Sequence, residues 1–245
     1  MAKTVLTNAR LLFGEYDITS YSNQVTLETD GDMQKATTFS EGWDNFKPGT
    51  LKFGASANGY WDDDVGSVIQ PDAAMFGSLS ASGRVFTVAA DGGDENEKCY
   101  FFQALTGGYE CFGSHGELAP WSLTLAGDSA SGGVGVMGTI LRNATATGTE
   151  DGTALELGAV SDTQTLYGAL HITADNFTSC TVKIQSDEAS GFASHTDHIT
   201  FTAASGITYE WGTPVAGANT DTYWRASVSA FVGTSMTYTV VMGIQ

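Results

Sequence analysis

The chain has 245 residues and a formal net charge of −18, from 10 Lys and Arg against 28 Asp and Glu. That balance excludes a protein that grips nucleic acid, because phosphate affinity comes from basic groups that displace condensed counterions. A hydrophobic content of 42% excludes a disordered chain, and no run reaches the roughly 20 apolar residues of a membrane helix. From the N-terminus, segments of alternating polarity bounded by Gly, Asp, Asn and Ser predict strands over 5–13, 24–29, 50–60, 84–89, 98–105 and 121–126. In 50–60, Leu51, Phe53, Ala55 and Ala57 recur at period two and define one apolar face. One short helix is expected over 68–79, with Pro71 in its first turn and Ala73, Ala74, Met75 and Leu79 on its apolar side.

The run DSASGGVG at 128–135 has linker composition. It predicts a mainly β chain of two domains, 1–130 and 137–245, joined by 131–136. In the second domain, strands are predicted over 136–141, 154–157, 165–172, 181–185, 198–203, 222–230 and 236–242, the pattern of a β-sandwich. Thr4–Ala9 (TVLTNA) and Thr139–Ala144 (TILRNA) agree at four positions, a match that a Thr- and Ala-rich chain produces by chance more readily than by duplication. Arg10 interrupts the only N-terminal stretch resembling a secretion signal, so cytoplasmic synthesis is expected. The sequons at Asn143 and Asn176 then carry no consequence.

Chemical motifs are sparse. No Gly-x-Ser-x-Gly elbow and no phosphate-binding Gly-rich loop occurs, and no dinucleotide fingerprint opens a helix, so neither catalytic residues nor a cofactor site is assigned, and the chain is read as a non-enzyme. His195 and His198, in HTDH, would face opposite sides of a strand. Asp91, Asp94, Glu95 and Glu97 gather oxygen ligands in a glycine-bearing loop without the spacing of a calcium loop, and read first as a solvated hairpin tip. Asp62, Asp63 and Asp64 read the same way. Cys99, Cys111 and Cys180 are odd in number and read as free thiols, with Cys99 and Cys111 in position to face each other if Gly107 and Gly108 turn a hairpin. The five tryptophans, Trp43, Trp61, Trp121, Trp211 and Trp224, suit cores or interfaces better than sugar stacking.

The stretches NARLLFGEYDITSYSNQVTLETDGDMQKATTFSEGW and FKPGTLKFGASANGYWDDD carry a strand, a turn at Asp17–Thr19, a second strand, a threonine-rich segment over 36–39, and a Pro48-Gly49 turn leading into a long strand. That order resembles the start of tail tube (major tail) proteins of long-tailed bacteriophages, over about residues 4–127. The second half resembles β-sandwich modules appended to virion proteins. The resemblance implies a virion structural protein: copies of the chain, with other virion proteins, form rings whose strands pair into a continuous inner barrel. The rings stack into a pipe through which DNA passes without specific binding. Glu28, Asp30, Asp32 and Lys52 become candidates for the lumen wall. A capsid decoration protein is the alternative within the structural class. A carbohydrate-binding adhesin using Tyr209, Trp211, Tyr223 and Trp224 is the alternative from another class.

Overall fold

The computed structural model describes residues 6–38, 42–62 and 71–245. Those residues are mainly β, and every named strand belongs to one hydrogen-bonded network. The first half contains β1 (Arg10–Phe13), β2 (Tyr16–Asp17), β3 (Ser22–Lys35), β4 (Phe46–Tyr60), the helix α1 (Pro71–Gly77), β5 (Arg84–Ala89), β6 (Lys98–Cys111) and β7 (Pro120–Gly127). The second half contains β8 (Gly135–Ala146), β9 (Glu150–Asp151), β10 (Leu155–Glu156), β11 (Thr165–Asp187), β12 (Thr196–Thr200), β13 (Thr208–Trp211), β14 (Val215–Ala216) and β15 (Tyr223–Ile244).

In the first half, β6 is shared by two sheets. Its residues 99–104 pair with β5, its residues 104–111 pair with β7, and Gly107 falls at a register shift between them. Bulges increase strand bend and twist, which lets β1–β5 face β3–β4–β7 across a core of Leu11, Phe13, Phe86, Phe102, Leu123 and Leu125. Met75 of α1 plugs that core, fully buried.

The second half is built by folding one long ladder over itself. β11 and β15 pair from Leu166–Ile244 to Asp187–Tyr223, and three of their four register shifts cluster between Ile172 and Ser179. Around that bend Ala174, Asp175 and Asn176 are exposed on one strand, and Val232, Gly233 and Thr234 on the other. Beyond it the two ends of the ladder face each other: a Cβ on Gly168 would overlap the Ile184 side chain. Leu166, Leu170, Val240 and Met242 thus share one core with Val182, Ile184, Trp224 and Val228. Strands that change sheet at a bulged corner are a known route to a two-layer β fold.

β8 joins the halves. Residues 135–139 pair with β6 and residues 139–146 with β15, and a third core of Val85, Phe101, Val136, Ile140, Ala169 and Val241 fills the junction. Of the expected linker 131–136, Ser131 ends a 3-10 turn, and Gly135 and Val136 open β8 with Val136 fully buried.

Several local expectations need correcting. Gly107-Gly108 is not a hairpin turn: Cys99 and Cys111 lie on the same strand, and the glycines sit where it bulges. Pro48-Gly49 lies inside β4, where Gly49 and Thr50 bulge opposite Asp32. β4 pairs on one side only at that point, so the missing proline N–H costs no ladder bond, and a Cβ on Gly49 would stand 2.9 Å from the Asp32 carbonyl oxygen. The helix ends at Gly77, before Leu79, and residues 68–70 lie outside the described residues, as do Asp63 and Asp64. The TVLTNA and TILRNA segments fall on unlike elements. Residues 139–144 are mid-strand in β8, whereas residues 6–9 precede β1 and touch the sheet through a single bridge from Asn8 to Asp91.

Candidate functional site

The four strands β3–β4–β7–β6 form a sheet whose two faces differ sharply. Register puts Val25, Ala57, Leu123 and Tyr109 in one cross-strand row and Leu27, Ala55, Leu125 and Thr106 in the next, all on the core side. The alternate rows are Gln24, Asn58, Ser122 and Glu110, then Thr26, Ser56, Thr124 and Gly108, then Glu28, Gly54, Ala126 and the half-exposed Leu105, and then Asp30 with Lys52. This second face is a shallow surface of small polar groups with a surplus of carboxylates. Because side chains alternate strictly along a strand, the sequence itself dictates the division. The structure brings Glu28, Asp30 and Lys52 onto that polar face. Asp32 follows the same alternation on β3, opposite the bulge that Gly49 and Thr50 make in β4, and accepts a hydrogen bond from the Gln34 amide.

The same sheet ends laterally in unpaired backbone. Among the described residues β3 pairs only with β4, and residues 107–111 of β6 pair only with β7. Such rows of free N–H and C=O groups are templates for another strand.

Beyond Gly54, β4 no longer pairs with β7, so the distal part of β3–β4 projects as a two-stranded arm. Residues 28–35 and 46–52 are exposed on both faces, including Met33, Phe46 and Leu51, and Trp43 at the end of the arm is 90% exposed. Where the arm leaves the body, an apolar groove of about 670 Å³ runs between Leu51 and Phe53 on one side and Tyr100, Met137 and Ile244 on the other. Its floor is tight, because a Cβ on Gly135 would overlap the Phe53 ring, which itself packs edge-on against Phe102 at 4.9 Å.

The acidic loop resolves into internal contacts. Glu97 accepts backbone N–H bonds from Gly93 and Asp94, at 2.8 and 3.1 Å. Glu95 is an ion-pair partner of Arg142, at 2.5 Å, and Arg142 reaches Glu150 at 3.1 Å. Burial works against the guanidinium charge, but Glu95 and Glu150 more than offset it and raise the Arg142 pKa. These carboxylates are spent on joining the 91–97 loop to β8 and β9, and no cluster of three metal-binding side chains occurs among the described residues.

One serine–histidine contact deserves a chemical test, and sequence patterns gave no sign of it. Ser186 Oγ donates to Asp221 Oδ2 at 2.5 Å and lies 2.7 Å from His198 Nε2, with Asn219 Nδ2 donating to it at 3.0 Å. A nucleophilic serine needs the imidazole to accept its proton, and an acid on the far nitrogen of that ring. Here the proton is directed to Asp221, the carboxylate sits on the serine rather than on Nδ1, and Ser186 is fully buried. The His198 pKa is lowered by burial, against the pull of Asp221 and Asp197. The cluster pins the 217–222 loop to β11 and β12. His195 does not join it. Asp197, between the two histidines, holds Lys183 and Gln185.

The aromatic set considered for sugar stacking is dispersed. Trp224 is fully buried, with its N–H donating to Gly158 O at 2.8 Å. Trp211 packs between Phe101 and Tyr167, and Tyr209 stacks on the Arg84 guanidinium.

No protein-family model matches the chain, and no curated protein matches it. Among solved structures it is similar to the crystal structure of the SPP1 Dit (gp 19.1) protein, described as a paradigm of the hub adsorption apparatus in phages infecting Gram-positive hosts. The two chains are 9% identical with a TM-score of 0.39, over 98% of this chain and 100% of that one.

Proposed function

We propose that the chain is a self-assembling virion subunit, a tail tube protein, in which the β3–β4–β7–β6 sheets of successive copies join edge to edge into a closed barrel around a channel. The observation that carries this reading is the sheet with one core face, one polar face and two open lateral edges. Joining the β3 edge of one copy to the β6 edge of the next is a head-to-tail contact, which closes into a ring when the rotation fits. Closure removes both edges and turns the polar face into a continuous wall. Carboxylates such as Glu28, Asp30 and Glu110 on that wall repel phosphate, which suits a conduit that must not retain DNA.

The reading is tested by electron microscopy of the purified chain together with an edge variant. Thr26 is exposed on β3, and a Cβ on Gly108 of β6 would meet open space, so both accept new side chains without disturbing the monomer. Rings with a central channel are expected from the natural sequence. Thr26→Lys combined with Gly108→Lys sets like charges along the seam and is expected to abolish the rings, and Thr26→Lys with Gly108→Glu to restore them. A chain that stays monomeric at high concentration, or rings indifferent to the double lysine variant, would overturn the proposal.

A further inference from the structure

The helix α1 has two apolar faces, and only one of them is buried. Ala74, Met75 and Ser78 pack against the first-half core, whereas Ala73, Phe76 and Leu79 face solvent, with Phe76 67% exposed. The Leu79 N–H donates to the Phe76 carbonyl at 3.3 Å, so the helix runs on as a tight turn in which residues three apart eclipse. The three exposed residues therefore form one stripe. The outer face of a surface helix is ordinarily polar, and an apolar stripe there marks a contact surface.

The helix is fastened to the β6 edge of the polar-faced sheet, on its core side. Asp72 accepts a hydrogen bond from the Tyr109 hydroxyl at 2.6 Å, the Thr106 hydroxyl donates to Ser78 Oγ at 3.2 Å, and the Ser80 N–H donates to the Thr106 carbonyl at 3.1 Å. Tyr109 and Thr106 end the two core-side rows that begin, at the opposite edge, with Val25 and Leu27. At that opposite edge the core is thinly covered. Val25 and Leu27 are only half-buried, and a recess of about 260 Å³, lined in part by Leu6, Leu11, Thr19 and Val25, opens beside them. One edge thus carries an apolar helix face without a partner, and the other carries apolar side chains without a cover.

We infer that α1 of one copy lays its Ala73–Phe76–Leu79 stripe over Val25 and Leu27 of the next, with Phe76 entering the recess beside Leu11. A second copy of this chain is the occupant that the rows select. β3 and β7 run parallel and β6 runs opposite to both, so a seam between β6 and β3 is antiparallel like every other pairing in the sheet. Such a seam carries core-side rows into core-side rows when its register shift is an even number of residues. Because α1 is tied to two rows, a slip of one row still leaves Phe76 above Val25 or Leu27. The contact lies on the core side, which closure turns outward, and takes nothing from the polar face. The inference deepens the conduit reading, on which it rests for placing the two edges side by side. Backbone pairing lets any two edges join, and side-chain pockets beside the edge choose the partner.

The full chain carrying Phe76→p-benzoylphenylalanine, mixed from two isotopic pools, is irradiated and its cross-links are mapped. Links from position 76 of one pool to residues 6–11 or 19–27 of the other are expected. Phe76→Ser removes a side chain that is mostly in solvent, so the melting temperature of the monomer should hold while the concentration needed for half-association rises at least about tenfold. Phe76→Leu should keep most of the association. Rings indifferent to Phe76→Ser, or intermolecular links from position 76 that fall outside those two segments, overturn the helix contact and leave edge pairing standing. Copies linked from 76 to 19–27 that never close into rings support the helix contact and overturn closure. A chain that yields neither links nor rings overturns both.

Discussion

Beyond Gly54, β3 and β4 pair only with each other and face solvent on both sides, whereas β11 and β15 form a longer ladder that is buried along most of its length. The backbone bonding is the same in both. The difference lies in side chains and in where the ladder bends. β3 carries Glu28, Asp30 and Asp32 with no large apolar row to bury, so it has no reason to fold back. β11 and β15 carry apolar residues through both ends and bulge in the middle, so the ladder closes on itself and encloses its own core. A two-stranded ribbon is marginal alone. The first ladder is therefore held only where its proximal half pairs with β7, and the second by its own core.

The sharpest way to break the self-folded ladder is at its bend. A Cβ on Gly233 would overlap the Phe177 backbone, which no rotamer can relieve. Gly233→Val should cost about 4 kcal/mol or more, in the range reserved for severe core lesions, and should show as a large fall in the denaturant midpoint or as insoluble protein. The same substitution at Gly108 of β6, where a Cβ meets open space, should leave the midpoint nearly unchanged.

The sequence announced this bend without identifying it. The predicted strands 165–172 and 181–185, and likewise 222–230 and 236–242, were separated where polarity stops alternating. Those gaps are the exposed corner of two continuous strands. Local pattern registers the loss of alternation, but a hydrogen-bonded bulge and a chain break look alike without the partner strand. The face assignment of β4 was legible, since Leu51, Phe53, Ala55 and Ala57 alternate plainly. The arm was not. Pro48 and Gly49 read as a turn because nothing in the sequence says that the strand is an edge, where both residues are tolerated. The Ser186–His198–Asp221 cluster was invisible for the same reason, since its members meet only through pairing and a loop closure.

Acid should loosen the contact between the two regions next. His171 lies on β11 but bonds first-half groups, Thr87 Oγ1 at 2.8 Å and the Gly14 carbonyl at 2.6 Å. Burial pushes its pKa down to about 4. The Gly14 bond opposes that shift, as does Asp17, and Arg10 adds to it. The unfolded chain therefore takes up the proton first. The stabilising contribution is whole above pH 6.5, falls as the pH drops, and is lost by about pH 4, a change of about 3 kcal/mol. Urea midpoints across that window should show the slope, and His171→Gln should flatten it.

A smaller effect is expected at the ionic link. Arg142→Met leaves Glu95 and Glu150 facing each other without their cation. A fully buried pair broken in this way costs several kcal/mol. These groups are about a fifth exposed, with side-chain accessibilities of 22%, 22% and 26%, so screening reduces the expected loss to about 1–2 kcal/mol. Added salt should narrow the gap between Arg142→Met and the natural protein.

The smallest change in stability is expected from the arm, and there the comparison becomes most informative. Leu51 is 82% exposed and Met33 71% exposed, so Leu51→Ser and Met33→Ser remove little buried surface and should shift the monomer midpoint by no more than about 0.5 kcal/mol. If the arm is completed by another molecule, the same substitutions must weaken assembly, because apolar area that is free in the monomer is covered in the polymer. Sedimentation of the two variants beside Gly233→Val separates the cases. The bend variant should lose folding and assembly together, and the arm variants should lose assembly alone. Arm variants that assemble normally would mean that solvent is the arm's resting environment and that its exposed apolar side chains serve no contact.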